Sequence, residues 1–245
     1  MTKKKLWSFI GIAGVLLFGT IFYLFSFTKP TPFPSNEESI DEIRSVFPQA
    51  GDGAILNTIF LDNRHVYVPF LSDANANGMS LWEWKSQKWK VVYVTTNGQP
   101  LVWRIDKKDP STYRVVWNFS TQTKVDYMKL YLMKRRNYYV SNNVEHYYPG
   151  VQMEEKIIIS ENPYGSMQMP KEWISIIQST NKLSPSESGL FTNYMNYPQY
   201  FTFRWLPYDK VDNVIDPIKL PNGNSIWNDV IDLENVLWID ESELE

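Results

Sequence analysis

The sequence predicts a mainly β fold: an antiparallel meander forming a sandwich or partly open barrel, with two or three helices, behind one N-terminal transmembrane helix. From about residue 54, short segments rich in Val, Tyr, Phe and Trp alternate apolar with polar side chains. Gly, Pro, Asn and Asp separate these segments at short intervals. An uncharged, mostly apolar run of 22 residues precedes them. These three observations define the fold class.

The apolar run at residues 6–27 is long enough to cross a bilayer. At about 1.5 Å per residue it extends about 33 Å as a helix, against a hydrocarbon core of about 30 Å. Lysines at positions 3–5 place residues 1–5 in the cytoplasm and the rest of the chain outside the cell membrane. A cleaved signal peptide is the alternative, but its core would be shorter and its exit less bulky than Phe22–Phe27.

The composition of the chain beyond the predicted membrane span limits the classes of partner that it is expected to bind. Without the three N-terminal lysines, 21 basic and 27 acidic residues remain, a net charge of −6, which gives no reason to expect nucleic-acid binding. The chain contains no Cys, which indicates a bacterial surface where disulfides are not routine. The expected partners are the lipid bilayer, through residues 6–27, and a membrane protein or cell-wall polymer.

Residues 28–35 are predicted to form a spacer and residues 36–245 the β-rich domain. Prolines at 30, 32 and 34 favour a stiff polyproline II segment of about 25 Å that lifts the domain off the bilayer. Ser35 and Glu38 form a capping box for a short helix that Pro48 ends. A second helix is predicted after Pro170, with Trp173, Ile176 and Ile177 on one face.

Alternation predicts nine strands and their faces. Asn97-Gly98 predicts a hairpin between the third and fourth of them. The predicted strands are Val66–Phe70, Leu81–Trp84, Trp89–Thr96, Leu101–Ile105, Tyr113–Phe119, Val125–Met133, Arg136–Val140, Glu154–Ile159 and Tyr200–Trp205. The predicted core side chains are Val115, Trp117, Phe119, Met128, Leu130, Leu132, Phe201, Phe203 and Trp205. Residues 225–239 fit either a helix or a closing strand at Val236–Ile239, and the acidic residues 240–245 are expected to fray.

A candidate calcium loop lies at Asp73–Gly78, which matches the opening of an EF-hand loop, D-x-[DN]-x-[DN]-G. Side-chain oxygens of Asp73, Asn75 and Asn77 alternate along it and can converge on one ion. The twelfth position, which should be Glu, is Trp84. The alternative is a polar turn between two strands.

Two aromatic pairs are candidate ligand-binding platforms: Trp82 with Trp84, and Tyr127 with Tyr131. Residues two apart on a strand share a face, so exposed rings would form a flat surface on which sugars stack. Buried rings would belong to the core. The basic run Lys134–Arg136 is either a solvated turn or a contact for anionic polymer or lipid headgroups.

No catalytic motif is present: the chain lacks H-E-x-x-H, G-x-S-x-G, a P-loop and G-x-G-x-x-G. The sequence therefore favours a non-enzymatic interaction, sensing or scaffolding module of a bacterial envelope. A cell-wall glycan-binding module with a calcium-ordered loop is the second hypothesis. A hydrolase using paired carboxylates is the third.

Overall fold

The computed structural model describes residues 12–19, 29–183, 201–216, 220 and 223–244, and within them β-strands predominate. The predicted mainly β class is confirmed, with antiparallel sheets that stay open in the part of the chain described. Two longer helices are α1 (Asn36–Val46) and α2 (Lys171–Leu183). Residues 12–19 are also helical. No helix within the described ranges is both long and apolar enough to span a membrane.

Sixteen strands are described, and short 3-10 turns occur at Pro48–Ala50, Pro110–Thr112 and Glu241–Glu243. In chain order the strands are β1 (Ala54–Ile55), β2 (Ile59–Phe60), β3 (His65–Leu71), β4 (Asn77–Lys85), β5 (Lys88–Thr95), β6 (Leu101–Arg104), β7 (Tyr113–Asn118), β8 (Tyr127–Lys134), β9 (Asn137–Ser141), β10 (Val144–Tyr148), β11 (Val151–Ile158), β12 (Tyr164–Gln168), β13 (Thr202–Tyr208), β14 (Ser225–Trp227), β15 (Leu233–Asn235) and β16 (Leu237–Trp238).

Three sheets are stacked and a two-stranded arm projects beside them. The front sheet has the order β1-β3-β4-β5-β14, with β2 also paired to β3. The middle sheet is β12-β7-β6-β15, and the rear sheet is β11-β8-β13-β16. Strands β9 and β10 pair only with each other among the described strands, and we call them the arm.

The middle sheet is buried on both faces. Val115 and Trp117 pack against rear-sheet residues such as Leu130. Val116, on the opposite face, packs against front-sheet residues such as Leu81. The core residues predicted in β7, β8 and β13 are confirmed, except that Phe201 is only partly buried.

The predicted Asn97-Gly98 hairpin is wrong. β5 pairs with β4 and β14, whereas β6 belongs to the middle sheet. The loop instead crosses between two sheets, and the Gly98 carbonyl accepts the Asn118 N–H at 2.9 Å. A Cβ atom at Gly98 would lie 1.8 Å from the Asn118 carbonyl oxygen, so glycine permits this close approach.

Residues 225–238 form a C-terminal strap across the three sheets. The strap contributes β14 to the front sheet, β15 to the middle sheet and β16 to the rear sheet. The helical alternative for this segment is therefore wrong, and the closing-strand alternative holds in part. The β13–β16 contact is parallel, unlike a simple meander.

Both predicted helices are present. Ser35 caps α1: its hydroxyl accepts the Glu38 N–H at 3.3 Å, and Glu38 accepts the Ser35 N–H at 2.8 Å. In α2, Trp173 and Ile177 are buried on one face. Residues 182–198 are rich in Ser, Pro and Asn, which predicts a loop, and they lie almost entirely outside the described residues.

The Pro-rich spacer lies partly on the front sheet. The Thr31 carbonyl accepts the Trp89 indole N–H at 3.0 Å. The Phe33 ring packs edge-on against Trp82 and Trp89, with centroids 5.1 Å apart in both cases. Residues 31–33 are thus bound to the domain. They are not part of a free spacer of about 25 Å between the bilayer and the domain.

Candidate functional site

A polar cavity lies between the front and middle sheets and beneath the strap. Its volume is about 440 Å³. β3 and β4 contribute one wall, β6 the opposite wall, and strap residues 230–233 cover one side. The lining residues are His65, Glu83, Lys85, Trp103, Arg104, Ile105, Lys107, Val230, Ile231, Asp232 and Leu233.

His65 stands between two carboxylates at the wall of this cavity. Its Nδ1 lies 2.9 Å from both carboxylate oxygens of Asp62, and its Nε2 lies 3.6 Å from Oε1 of Glu83. β-sheet register explains the second contact, because His65 and Glu83 are direct cross-strand partners. The Trp103 ring meets the imidazole edge-on at 5.2 Å.

This bracket keeps the imidazole protonated at neutral pH. Burial acts to lower the pKa of His65, but the hydrogen bonds to Asp62 and Glu83 outweigh it and raise the pKa to about 9. For Asp62, burial acts to raise the pKa, and the hydrogen bonds from His65 and the Arg64 N–H lower it overall. A cationic imidazole with both nitrogens engaged cannot act as a general base.

Ion pairs attach the strap to the two cavity walls. Lys85 of β4 lies 2.8 Å from Asp229. Arg104 of β6 pairs with Glu234 and lies 3.4 Å from Asp232, which Lys107 also approaches at 3.3 Å. Acidic strap residues therefore meet basic residues on both sheets, and these contacts close the cavity on the strap side.

The cavity lining is rich in charged groups. Its lining contains two carboxylates, Glu83 and Asp232, and each faces cationic partners. The described lining residues include no Ser, Thr or Cys that His65 could activate.

The candidate calcium residues are arranged as a turn. Ser72 closes the turn through two hydrogen bonds to Ala76. The Ser72 hydroxyl accepts the Ala76 N–H, and the Ser72 N–H donates to the Ala76 carbonyl. Asn77 begins β4, and its amide donates to Asn118 Oδ1 and the Phe119 carbonyl at 3.1 and 3.2 Å. Asp73 and Asn75 are exposed. Within the described ranges, no three His, Cys, Asp or Glu residues cluster as a metal site would require.

Trp82 and Trp84 do not form an exposed platform. Both rings are buried, on the face of β4 that packs under α1 and the spacer. The expectation of a stacking surface for sugars is wrong here, because helix residues such as Ile43 and the Phe33 ring cover that face. These tryptophans belong to the core.

Tyr127 and Tyr131 are also buried, although they point away from the main core. Tyr208 stacks on Tyr127 with the ring centroids 4.8 Å apart. Ile239 and Leu244 pack in the same cluster. Residues 240–244, which belong to the segment expected to fray, therefore lie on the outer face of the rear sheet, and Tyr208 donates to Glu241 at 3.2 Å.

Two features were missed from the sequence: the His65 bracket and the arm. The bracket depends on β3–β4 register, although Asp62 three residues before His65 was a local signal. The arm was recognised only in its first strand, because β10 (Val144–Tyr148) lacks a strongly apolar face. Asn142-Asn143 between the two strands was the signal for its turn.

Comparisons with protein-family models, with curated proteins and with solved structures find no match to this chain.

Proposed function

We propose that this chain is a non-enzymatic interaction module of a bacterial envelope, anchored by residues 6–27 with its N-terminus in the cytoplasm. Outside the membrane, a sandwich-like stack of sheets carries the arm, which binds a membrane protein or a cell-wall polymer. The arm is the observation that carries this proposal. The anchor rests on the length, apolarity and flanking lysines of the N-terminal segment.

The helical residues 12–19 support the anchor. Val15 and Phe18 are each 73% exposed, and Leu17 is 65% exposed. Apolar side chains in such a row are costly in water and suited to lipid tails. Burial in a bilayer accounts for a helix of this composition that exposes its side chains.

The arm exposes apolar side chains in the same way. Tyr138, Val140, Val144 and Tyr147 are each more than half exposed. Tyr138 and Tyr147 are direct cross-strand partners, so their rings are adjacent on one face. Val140 lies on that face two residues from Tyr138. Tyr138, Val140 and Tyr147 therefore form one exposed apolar face, bordered by Glu145 opposite Val140, whereas Val144 lies on the other face. An exposed apolar face on a hairpin that pairs with no other described strand favours a binding surface.

The backbone of the arm also favours binding. In a two-stranded sheet both strands are edges, and an edge can accept a strand from another chain. Asn142 and Asn143 both have positive φ, 51° and 61°, as in the tight turn that gives a well-defined hairpin.

Basic residues fix the base of the arm. The Lys134 ammonium lies over the Tyr148 and Phe201 rings at about 6 Å. Arg135 pairs with Glu243 at 3.1 Å, with most of its side chain exposed. These contacts hold the hairpin at a defined place beside the rear sheet.

Site-specific photo-crosslinking in native membranes tests the proposal. A photoreactive phenylalanine at Tyr147 of the full chain should give a discrete adduct, whose mass and protease sensitivity distinguish protein from wall polymer. Val211, which is equally exposed but outside the arm, is the matched control. Tyr138→Ser should abolish the adduct without lowering the unfolding temperature. Equal adducts from positions 147 and 211 would contradict an arm-specific partner.

A further inference from the structure

We infer that the end of the front sheet at the β4–β5 turn docks on the phospholipid headgroups, which fixes how the domain sits on the membrane. This inference rests on the anchor of the proposed function. The docking surface consists of Phe60 and the turn residues 85–88, and we call it the membrane-facing end.

The length of chain between the anchor and the domain sets the distance. The predicted membrane span ends at Phe27, and the Thr31 carbonyl is bound to the Trp89 indole. Four residues extend at most about 14 Å. The headgroup layer on each side of the hydrocarbon core is about 5–8 Å thick. Thr31 therefore lies at most about 6–9 Å beyond the outer edge of the headgroup layer, and the Trp89 indole is hydrogen-bonded to it.

Trp89 lies at one end of the front sheet. It is the cross-strand partner of Trp84, next to the tight β4–β5 connection. The two rings pack with centroids 5.6 Å apart. Because β4 has nine residues, the β3–β4 loop at the opposite end lies about 27 Å away at the usual rise per residue. Of these two ends, the anchor can bring only the Trp89 end close to the bilayer.

The chemistry of this end suits a lipid interface. Phe60 is 57% exposed and joins the cluster of Phe33 and Trp89, with ring centroids 5.9 and 6.4 Å away. Aromatic rings are favoured at the headgroup level. Lys88 is exposed on the turn and Lys29 is exposed in the spacer, whereas Lys85 on the same turn is paired with Asp229. Cations beside an aromatic cluster complement anionic headgroups.

Single-cysteine labelling of the full chain tests this orientation, since the natural sequence contains no Cys. Phe60→Cys and Lys88→Cys variants carry a fluorophore in nanodiscs of phosphatidylglycerol and phosphatidylethanolamine that contain a headgroup-nitroxide lipid. We expect a strong loss of fluorescence at both positions. Ala74→Cys, in the exposed β3–β4 loop, is the matched control and should keep its fluorescence.

A fourth label separates this inference from the anchor itself. Leu17→Cys should be quenched by a nitroxide on the acyl chain if residues 6–27 enter the bilayer. Quenching at 17 without greater quenching at 60 than at 74 would overturn the docking surface and leave the anchor intact. Absence of quenching at 17 would overturn the anchor on which both proposals rest.

Discussion

Replacing His65 by Gln should destabilise the protein at pH 6 and cost little at pH 10. His65 carries a proton in the folded state because Asp62 and Glu83 bracket its ring. A tenfold change in proton affinity is worth about 1.4 kcal/mol. The rise of the pKa from 6.5 to about 9 thus sets an upper limit of about 3 kcal/mol.

Solvent reduces that limit. The His65 side chain is only 16% exposed, but Asp62 is 43% exposed, so water screens part of the attraction. We therefore expect about 1–2 kcal/mol from the bracket. Because the folded pKa is raised, this stability is fully present below pH 6.5 and is lost as pH rises through about 9.

Urea unfolding of the full chain in mild detergent, at several pH values between 6 and 10, measures the effect. The difference between wild type and His65→Gln should fall steadily across that range, while groups common to both proteins cancel. His146→Gln, in the arm, controls for loss of a histidine elsewhere. A His65→Gln difference that is independent of pH would refute the bracket as the origin of the stability.

Three further predictions concern buried polar groups and the β3–β4 loop. Asn118→Ala should cost about 2–3 kcal/mol in urea unfolding, because the buried amide donates to the Phe70 and Gly78 carbonyls, which would lose their partner. Tyr131→Phe should leave stability unchanged or raise it, since the buried hydroxyl lacks a hydrogen-bond partner among the described residues. Tyr127→Phe, its matched control, should lose about 1 kcal/mol with the 2.8 Å bond to Asp212. Calcium should not shift the unfolding temperature of wild type or of Asp73→Ala, and a rise confined to wild type would restore the loop as a metal site.

Short sequence patterns correctly predicted the features that depend only on neighbouring residues. The capping box of Ser35 and Glu38 and the alternation of Met128, Leu130 and Leu132 depend on neighbours within a few residues, and both are present. Which sheet a strand joins depends instead on residues that are distant in the sequence. Asn97-Gly98 has the composition of a hairpin turn, but the Asn118 backbone approaches Gly98 from another sheet.

The exposure expected for the tyrosine and tryptophan pairs was wrong for a related reason. Alternation correctly placed Tyr127 and Tyr131 opposite the main core, yet chain more than 100 residues away covers them. Trp82 and Trp84 likewise share a face that α1 and the spacer cover. Periodicity tells which side chains share a face, but burial of that face depends on segments that no short pattern relates to it.

The strap makes the cavity depend on the fold, because the same segment completes the sheets and covers the cavity. Its three short strands each complete a different sheet, and none is long enough to be stable alone. Between β14 and β15 it covers the cavity, where Lys85 and Arg104 hold its acids from two different sheets. Release of the strap would break these pairs and expose the cavity walls together. The charged cavity therefore exists only while the strap connects the front and middle sheets.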